Sequence, residues 1–273
     1  MGSGLGWALR QGGARVVSTV EGRSARTARL AADFELLPSL RDVVAVADVV
    51  LVVTPPGASV AAARSIRAAA HAVGACPLVA DLNAVSPATM TSIVDILAPL
   101  DVVDGSISGP PPTVRPGASV YFSGPRADEL VALPWGGLAR PIRLGDRVGA
   151  ASAVKMSTAS VYKGLTGLIT QAIRSADFYG VLDEVLADLA RSGLETDGVA
   201  LAATKAHRYV PEMREIAKAQ ADAGLTSALF EAYASIYAEI AGSALAAGDP
   251  ETVDAQMPAS EVVAALASRI SGD

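Results

Sequence analysis

The chain has 273 residues, 51% of them hydrophobic and only 4% aromatic, so its core must be built mainly from Ala, Val, Leu and Ile. A formal charge of −6, with no cluster of Lys and Arg, argues against a nucleic-acid partner, because phosphate binding needs concentrated cations. One cysteine, Cys76, and two histidines, His71 and His207, leave no material for a disulfide framework, and no metal centre is expected. The longest aliphatic stretches, such as 43–53, are interrupted by Asp48 and fall short of the roughly 20 residues of a membrane helix. Met1 is followed by Gly-Ser-Gly rather than by the basic and apolar regions of a signal peptide. A soluble, cytoplasmic protein with no membrane partner is expected.

Gly2, Gly4 and Gly6 precede an Ala-Leu helix expected at 7–11, which Gly12 and Gly13 end. A dinucleotide fingerprint is a strand followed by G-x-G-x-x-G, whose glycines let a pyrophosphate approach backbone N–H groups at a helix start. Here no strand precedes the glycines, and two readings stay open. Either the residues are a flexible leader, or Met1 and Gly2 are the last two residues of G-x-G-x-M-G and touch the cofactor. On the second reading the first strand is missing from the middle of the sheet, and the natural start is expected roughly ten residues upstream. Ladder groups left unpaired would cost about 1 to 3 kcal/mol each and weaken cofactor binding.

From Ala14 to about Leu144, β-branched runs at 15–20, 48–54, 77–81, 101–107, 119–123 and 141–144 alternate with Ala-rich segments. Helices are expected at 24–32, 59–73 and 87–97. This is the pattern of βαβ units and of an α/β fold with a doubly wound, Rossmann-type sheet. The missing strand would sit between 15–20 and 48–54, or beside them. After the first strand the chain reads Glu21-Gly22-Arg23-Ser24. Arg23 can pair with the 2′-phosphate of NADP while Ser24 caps the next helix, and Glu21 could instead bind a ribose hydroxyl. One charge-assisted hydrogen bond, about 1.5 to 3 kcal/mol, favours NADP about tenfold or more.

Beyond Gly149 no strand pattern follows, and apolar residues recur at helical intervals up to Ile270. The first helix is expected to be long, 149–178, with Gly180 ending it; Gly193, Gly224 and Gly248 with Pro250 mark later breaks. The expected domains are therefore 1–148, nucleotide-binding, and 149–273, all-α.

Four motifs carry chemistry. Thr54-Pro55-Pro56 and Asp81-Leu82-Asn83-Ala84-Val85-Ser86-Pro87 each leave the carboxyl end of a strand, where doubly wound folds bind ligands. Asp104-Gly105-Ser106-Ile107-Ser108-Gly109-Pro110 leaves the next strand and could by itself be a stiff turn. Gly149-Ala150-Ala151-Ser152-Ala153-Val154-Lys155-Met156 opens the long helix, and its run is too apolar for an ordinary surface lysine. Lys155, Thr158, Ala159, Tyr162 and Thr166 share one face of that helix.

With these motifs the chain resembles the β-hydroxyacid dehydrogenase family, which includes 6-phosphogluconate and 3-hydroxyisobutyrate dehydrogenases and the imine reductases. The resemblance implies an NADP(H)-dependent oxidoreductase that interconverts a small carbonyl compound and its alcohol or hydroxyacid. Lys155 falls on the family's catalytic lysine, and a lysine whose pKa is lowered by burial can supply and retrieve a proton. Thr54, Pro55, Pro56 and Asn83 fall on cofactor-side loops, and Ser108 and Gly109 on the substrate loop. Pro110 cannot donate an N–H, which makes a poorer anion site. Ala159 stands where the family has Asn, so Thr158, Tyr162 or Lys163 would orient the substrate instead. Lys163-Gly164 after Ala-Ser-Ala-Val-Lys-Met resembles a divergent bacterial subgroup with its own C-terminal domain. Arg214 is a weak candidate for the family's K-D-L lysine beside a solvated-face reading, and Tyr209, Phe230, Tyr233 and Tyr237 are expected as core or dimer contacts. The family implies a homodimer through the helical domain. Two alternatives remain, imine reduction and a non-catalytic NADP-binding or interaction protein. A short-chain dehydrogenase is excluded, because no tyrosine is followed by lysine four residues later.

Overall fold

The computed structural model describes residues 1–268. The chain divides into two compact units, Met1–Met156 and Ser157–Asp273.

In the first unit α1 (Gly2–Gln11) starts five residues earlier than the Ala-Leu run suggests, with Leu5, Ala8 and Leu9 on its buried side. The glycines are therefore helical, which overturns the flexible-leader reading. They permit close approach: a β-carbon on Gly6 would stand 2.8 Å from the Phe34 ring, and one on Gly4 3.0 Å from Pro111. Then come β1 (Val17–Ser18), α2 (Ala25–Leu30), β2 (Glu35–Leu36) and α3 (Leu40–Val46). Ser24 caps α2 as expected, accepting the Thr27 N–H at 3.3 Å. β2 and α3 were not anticipated. β2 is only two residues long, and the front of the 43–53 aliphatic run belongs to α3, which Ser39 caps.

β3 (Val49–Val52), α4 (Ser59–Val73), β4 (Leu78–Asp81), α5 (Pro87–Leu97), β5 (Val102–Ser108), β6 (Ala118–Ser123), α6 (Ala127–Val131) and β7 (Ala139–Arg143) complete the unit. The five strands β3-β4-β5-β6-β7 form one sheet, parallel throughout except for the antiparallel pair β5 and β6. β1 and β2 form a separate parallel pair. Among the described residues β1 and β3 do not pair with each other.

Both faces of the larger sheet are covered. Leu5 and Leu9 of α1 pack with Leu78, Ala80, Val103, Val120 and Phe122 on one side. Ile66 of α4 and Ile93 and Leu97 of α5 pack with Val50, Val52 and Val79 on the other. Two-sided cover explains why these strands read as continuous apolar runs rather than alternating ones.

The second unit is helical. α7 (Ala150–Phe178) begins in the first unit and continues through Ser157, followed by α8 (Leu182–Arg191), α9 (Val199–Ala203), α10 (Ala206–Asp222), α11 (Ala228–Ala241) and α12 (Ala259–Ala267). Gly180, at φ +69°, follows the end of α7. α10 packs on α11, with Met213, Ile216 and Ala217 of the first and Phe230, Ala234 and Tyr237 of the second buried. The expected end of the helical pattern, Ile270, lies outside the described residues.

Candidate functional site

The register Val52, Asp81, Asp104 across β3, β4 and β5 levels the carboxyl ends of three parallel strands. Two residues further on stand Thr54, Asn83 and Ser106. Asn83 ties two of these exits together. Its Oδ1 accepts the Thr54 backbone N–H at 2.6 Å and lies 3.2 Å from the Thr54 hydroxyl, which donates to it. Its Nδ2 and backbone N–H donate to the two oxygens of Asp81, both at 3.0 Å. Asp81 is fully enclosed, and burial pushes its carboxyl up to about 7 against the pull of the Asn83 donors, with nearby Asp104 adding to the rise.

Asp104 organises the start of α7. Its Oδ2 accepts N–H groups from Gly149 at 2.9 Å and Ser152 at 3.1 Å and the Ser123 hydroxyl at 2.9 Å. Its Oδ1 accepts the Ser152 hydroxyl at 2.6 Å. A strand carboxylate thus satisfies first-turn N–H groups that a helix leaves without partners, and its charge favours the positive end of the helix dipole. Burial pushes the Asp104 carboxyl up, while the donors on Ser152, Ser123 and Gly149 oppose that shift. Next on β5, Ser106 donates its hydroxyl to the Ala151 carbonyl at 2.8 Å. Lys155 then donates from Nζ to the Ile107 carbonyl at 2.8 Å. The half-buried Lys155 ammonium therefore sits where β5 ends, next to Ser108.

Ser108 is the half-buried last residue of β5, opposite Ser119. Gly109 follows at φ +114°, and a β-carbon there would stand 3.2 Å from the Ala118 Cα, so only glycine suits the position. Pro110 is half-buried and Pro112 is buried, close to Gly4 of α1. The loop is a stiff turn that also leads out from the lysine.

The remaining predicted residues lie as follows. Met1 caps α1 with its carbonyl, which accepts the Leu5 N–H at 3.1 Å, and Gly2 lies beside Val53. Pro55 is exposed, and Pro56 opens a 3-10 turn, Pro56–Ala58. Gly2, Thr54 and Asn83 are thus gathered at one end of the sheet, and Lys155 and Ser108 at the end of β5. Arg23 and Ser24 are exposed on the loop between β1 and α2. Glu21 lines a shallow depression with Ser39, Arg41 and Ser65. Arg41, a second guanidinium near that loop, was missed because α3 was missed. The signal was there in Ser39-x-x-Asp42, where the Ser39 hydroxyl donates to Asp42 at 2.6 Å.

Thr158 and Tyr162 belong to the second unit. The expected polar stripe is uneven: Thr158 is half-buried, Ala159 is buried and Tyr162 is 69% exposed. Lys163, half-buried, is committed elsewhere, in an ion pair with the buried Glu212, over the Tyr209 ring at 4.4 Å. Tyr237 donates its hydroxyl to the Lys163 carbonyl at 2.7 Å and stacks edge-to-face on Tyr209. Burial pushes the Tyr209 phenol up to about 12. Arg214 is exposed, so the buried charge of that segment is Glu212, which sequence reasoning passed over. Its spacing of four from Ile216 on the buried side of α10 was the available signal. Among the described residues no cluster of His, Cys, Asp and Glu could hold a metal ion.

A family described as a domain of unknown function, DUF1932, matches residues 176–240. No curated protein matches the chain. A conserved hypothetical protein from Sinorhizobium meliloti shares 25% identity over 97% of this chain and 92% of its own, with a TM-score of 0.62. A second structure, of a conserved protein of unknown function described as structurally similar to 3-hydroxyacid dehydrogenases, shares 25% identity. It covers 88% of this chain and 92% of its own, with a TM-score of 0.61. The chain has the hydroxyacid dehydrogenase fold. The 3-hydroxyisobutyrate dehydrogenase of Mycobacterium tuberculosis, in a structure with L-serine, has the same fold at 20% identity. There the TM-score is 0.67 over 98% of this chain and 96% of the enzyme. The dehydrogenase fold joins a Rossmann-like sheet to a helical C-terminal part, as the resemblance implied.

Proposed function

We propose that the chain is an NADP(H)-dependent oxidoreductase that interconverts a small carbonyl compound and its alcohol or hydroxyacid, with Lys155 as acid and base. The observation that carries this reading is the placement of Lys155. A helix start clamped by Asp104 and Ser106 holds its ammonium on the Ile107 carbonyl, at the mouth of the Ser108-Gly109 turn. The residues present suit a dinucleotide. The first turn of α1 carries no side-chain cap, leaving N–H groups for a pyrophosphate, and Gly2 adds no bulk beside Val53. Met1, Gly2, Thr54, Pro55, Pro56 and Asn83 would line the cofactor, and Arg23 with Ser24 would take its 2′-phosphate. When bound, the nicotinamide supplies or accepts the hydride. Lys155 gives a proton to the carbonyl oxygen in reduction and takes it back in oxidation, while Ser108 and the Gly109 N–H hold the substrate's polar end. Thr158 and Tyr162 are assigned to substrate orientation.

Nucleotide binding is assigned to residues 1–148, and substrate binding and dimerisation to 149–273. Val161, Leu165 and Leu168 leave an apolar strip exposed along α7, which supports a homodimer through the helical part. A monomeric mass by light scattering at micromolar protein would contradict that assembly. A cytoplasmic location is assigned with it; among the described residues no helix is long and apolar enough to cross a membrane.

The test is a screen of carbonyls, hydroxyacids and imines with NADPH or NADP+. Turnover of a carbonyl or hydroxyacid is expected. Turnover of imines alone would replace the substrate class, and binding of NADPH without turnover of any class would favour a non-catalytic protein.

A further inference from the structure

α4 is a surface helix whose outer side carries one sign of charge. Its sequence holds Arg64, Arg67 and His71 and no acid, although acids outnumber Lys and Arg by 28 to 22 in the chain. At the pitch of an α-helix these three residues fall within about 60° of one another and span about 10 Å of its length. All three are exposed, and with Ala68 and with Ile96 of α5 they line a shallow depression. Arg67 donates to the Ile96 carbonyl at 3.2 Å, which holds its guanidinium over the groove between α4 and α5. Among the described residues Arg64 and His71 have no ion-pair partner. Like charges at neighbouring helix positions repel, so this row lowers the helix's own stability.

Beside the cations runs a second row. Ala61, Ser65, Ala68 and Ala72 also lie within about 60° of one another, and all four are exposed. The Ser65 hydroxyl donates to the Ala61 carbonyl at 3.0 Å, so it is spent within the helix and the row presents little polar surface. Side chains this small leave the helix open to close approach, and the ridge of another helix fits such a row. Ala68 borders two depressions, one with Arg64 on the α5 side and one with Ser39 and Arg41 on the α3 side. Glu21 lies in the second of these, and no acid lines the first.

We infer that the outer face of α4 docks one acidic, amphipathic helix of a partner protein. The partner's large apolar side chains seat on the 61–72 row and beside Ile96. Its Asp or Glu residues, three or four apart along one flank, meet Arg64, Arg67 and His71. Charge complementarity sets the sign of the partner. The small row selects a helix over a small anion, since cations strung along about 10 Å do not converge on one phosphate. Exposed ion pairs each contribute little, so the apolar seat supplies the affinity while the charges fix register and orientation. The inference does not rest on the oxidoreductase reading.

The test uses the whole chain and a synthetic helical peptide, three repeats of Leu-Glu-Ala-Leu-Glu-Glu-Ala, followed by fluorescence anisotropy and amide shift mapping. Saturable binding is expected, with the largest amide shifts at Ala61, Ser65, Ala68 and Ala72. The same peptide with Gln for every Glu should bind about tenfold less tightly. Arg64→Gln with Arg67→Gln should weaken the acidic peptide about fivefold or more. Ala68→Glu keeps a good helix former at an exposed position but sets bulk and like charge in the middle of the row, so a loss of about tenfold or more is expected. Arg140→Gln, on β7 at the far edge of the sheet, should leave the affinity within about twofold. No saturable binding, shifts confined to other elements, or unchanged affinity in Ala68→Glu would overturn the inference. So would displacement by tripolyphosphate as effective as by unlabelled peptide, because the face would then be a small-anion site. A parent mass in light scattering that Ala68→Glu lowers would also overturn it, since a second copy would then hold the face.

Discussion

In the first unit the buried charges are two carboxyls, Asp81 and Asp104, and their partners are backbone N–H groups, hydroxyls and an amide. In the second unit the buried carboxylate is Glu212, and its partner is the ammonium of Lys163. The first arrangement gathers loop ends and a helix start through neutral donors, and Lys155 donates to the Ile107 carbonyl at the strand exit. The second consumes its lysine in a brace between α7 and α10. Two lysines eight residues apart on one helix thus take different tasks, and the difference lies in which acceptor each one meets.

The sharpest way to break this contrast is Asp104→Ala. It leaves two N–H groups and two hydroxyls buried without their acceptor, at about 1 kcal/mol or more per group, so a total loss of about 4 kcal/mol or more is expected. Urea unfolding of the whole chain measures it, and a loss under about 1 kcal/mol would show that the cap is not needed. Lys163→Met should come next, at about 3 to 5 kcal/mol, because it strands Glu212 in the interior. The double variant Lys163→Met with Glu212→Leu should recover most of that loss. Failure to recover would mean that the pair does more than brace.

The Asp81 carboxyl sharpens the comparison through pH. Its folded value, about 7, lies above its ordinary value of 3.8, so the folded state binds the proton more tightly. The stability this proton contributes is complete below about pH 4 and is lost as pH rises toward and through 7. Asp104, also raised, works in the same direction. Asp81→Asn should therefore flatten the decline in melting temperature between pH 5 and about 8; an unchanged slope would assign the decline to other groups. The smallest expected effect is at the exposed Arg23. Arg23→Ala should weaken NADPH binding about tenfold and NADH binding hardly at all. An equal loss for both cofactors would remove Arg23 from the phosphate site.

Where the sequence carried a strong period, the structure followed it. The continuous runs at 77–81 and 101–107 became β4 and β5, the period of 59–73 became α4, and the apolar spacing after Gly149 became α7. β2 and α3 escaped because a two-residue strand has no period, and because α3 runs through Ala47 straight toward β3 without a glycine or proline between them. At the site, Lys155 and the motif around Ser108 were legible as local patterns. Asp104 was legible only as a motif residue, since its role depends on Gly149 and Ser152, some forty-five residues away. The Lys163 and Glu212 pair is invisible to any local reading for the same reason. The glycines of α1 misled the reading because glycine signals flexibility as readily as it signals close packing against Phe34 or Pro111.

The central claim, that the lysine at the end of β5 moves the proton, is tested most directly by Lys155→Met assayed with a substrate found in the NADPH screen. The account predicts a fall in kcat of about 10² to 10⁴, with NADPH affinity within a few-fold of the parent chain. Turnover that survives within a few-fold of the parent would contradict it.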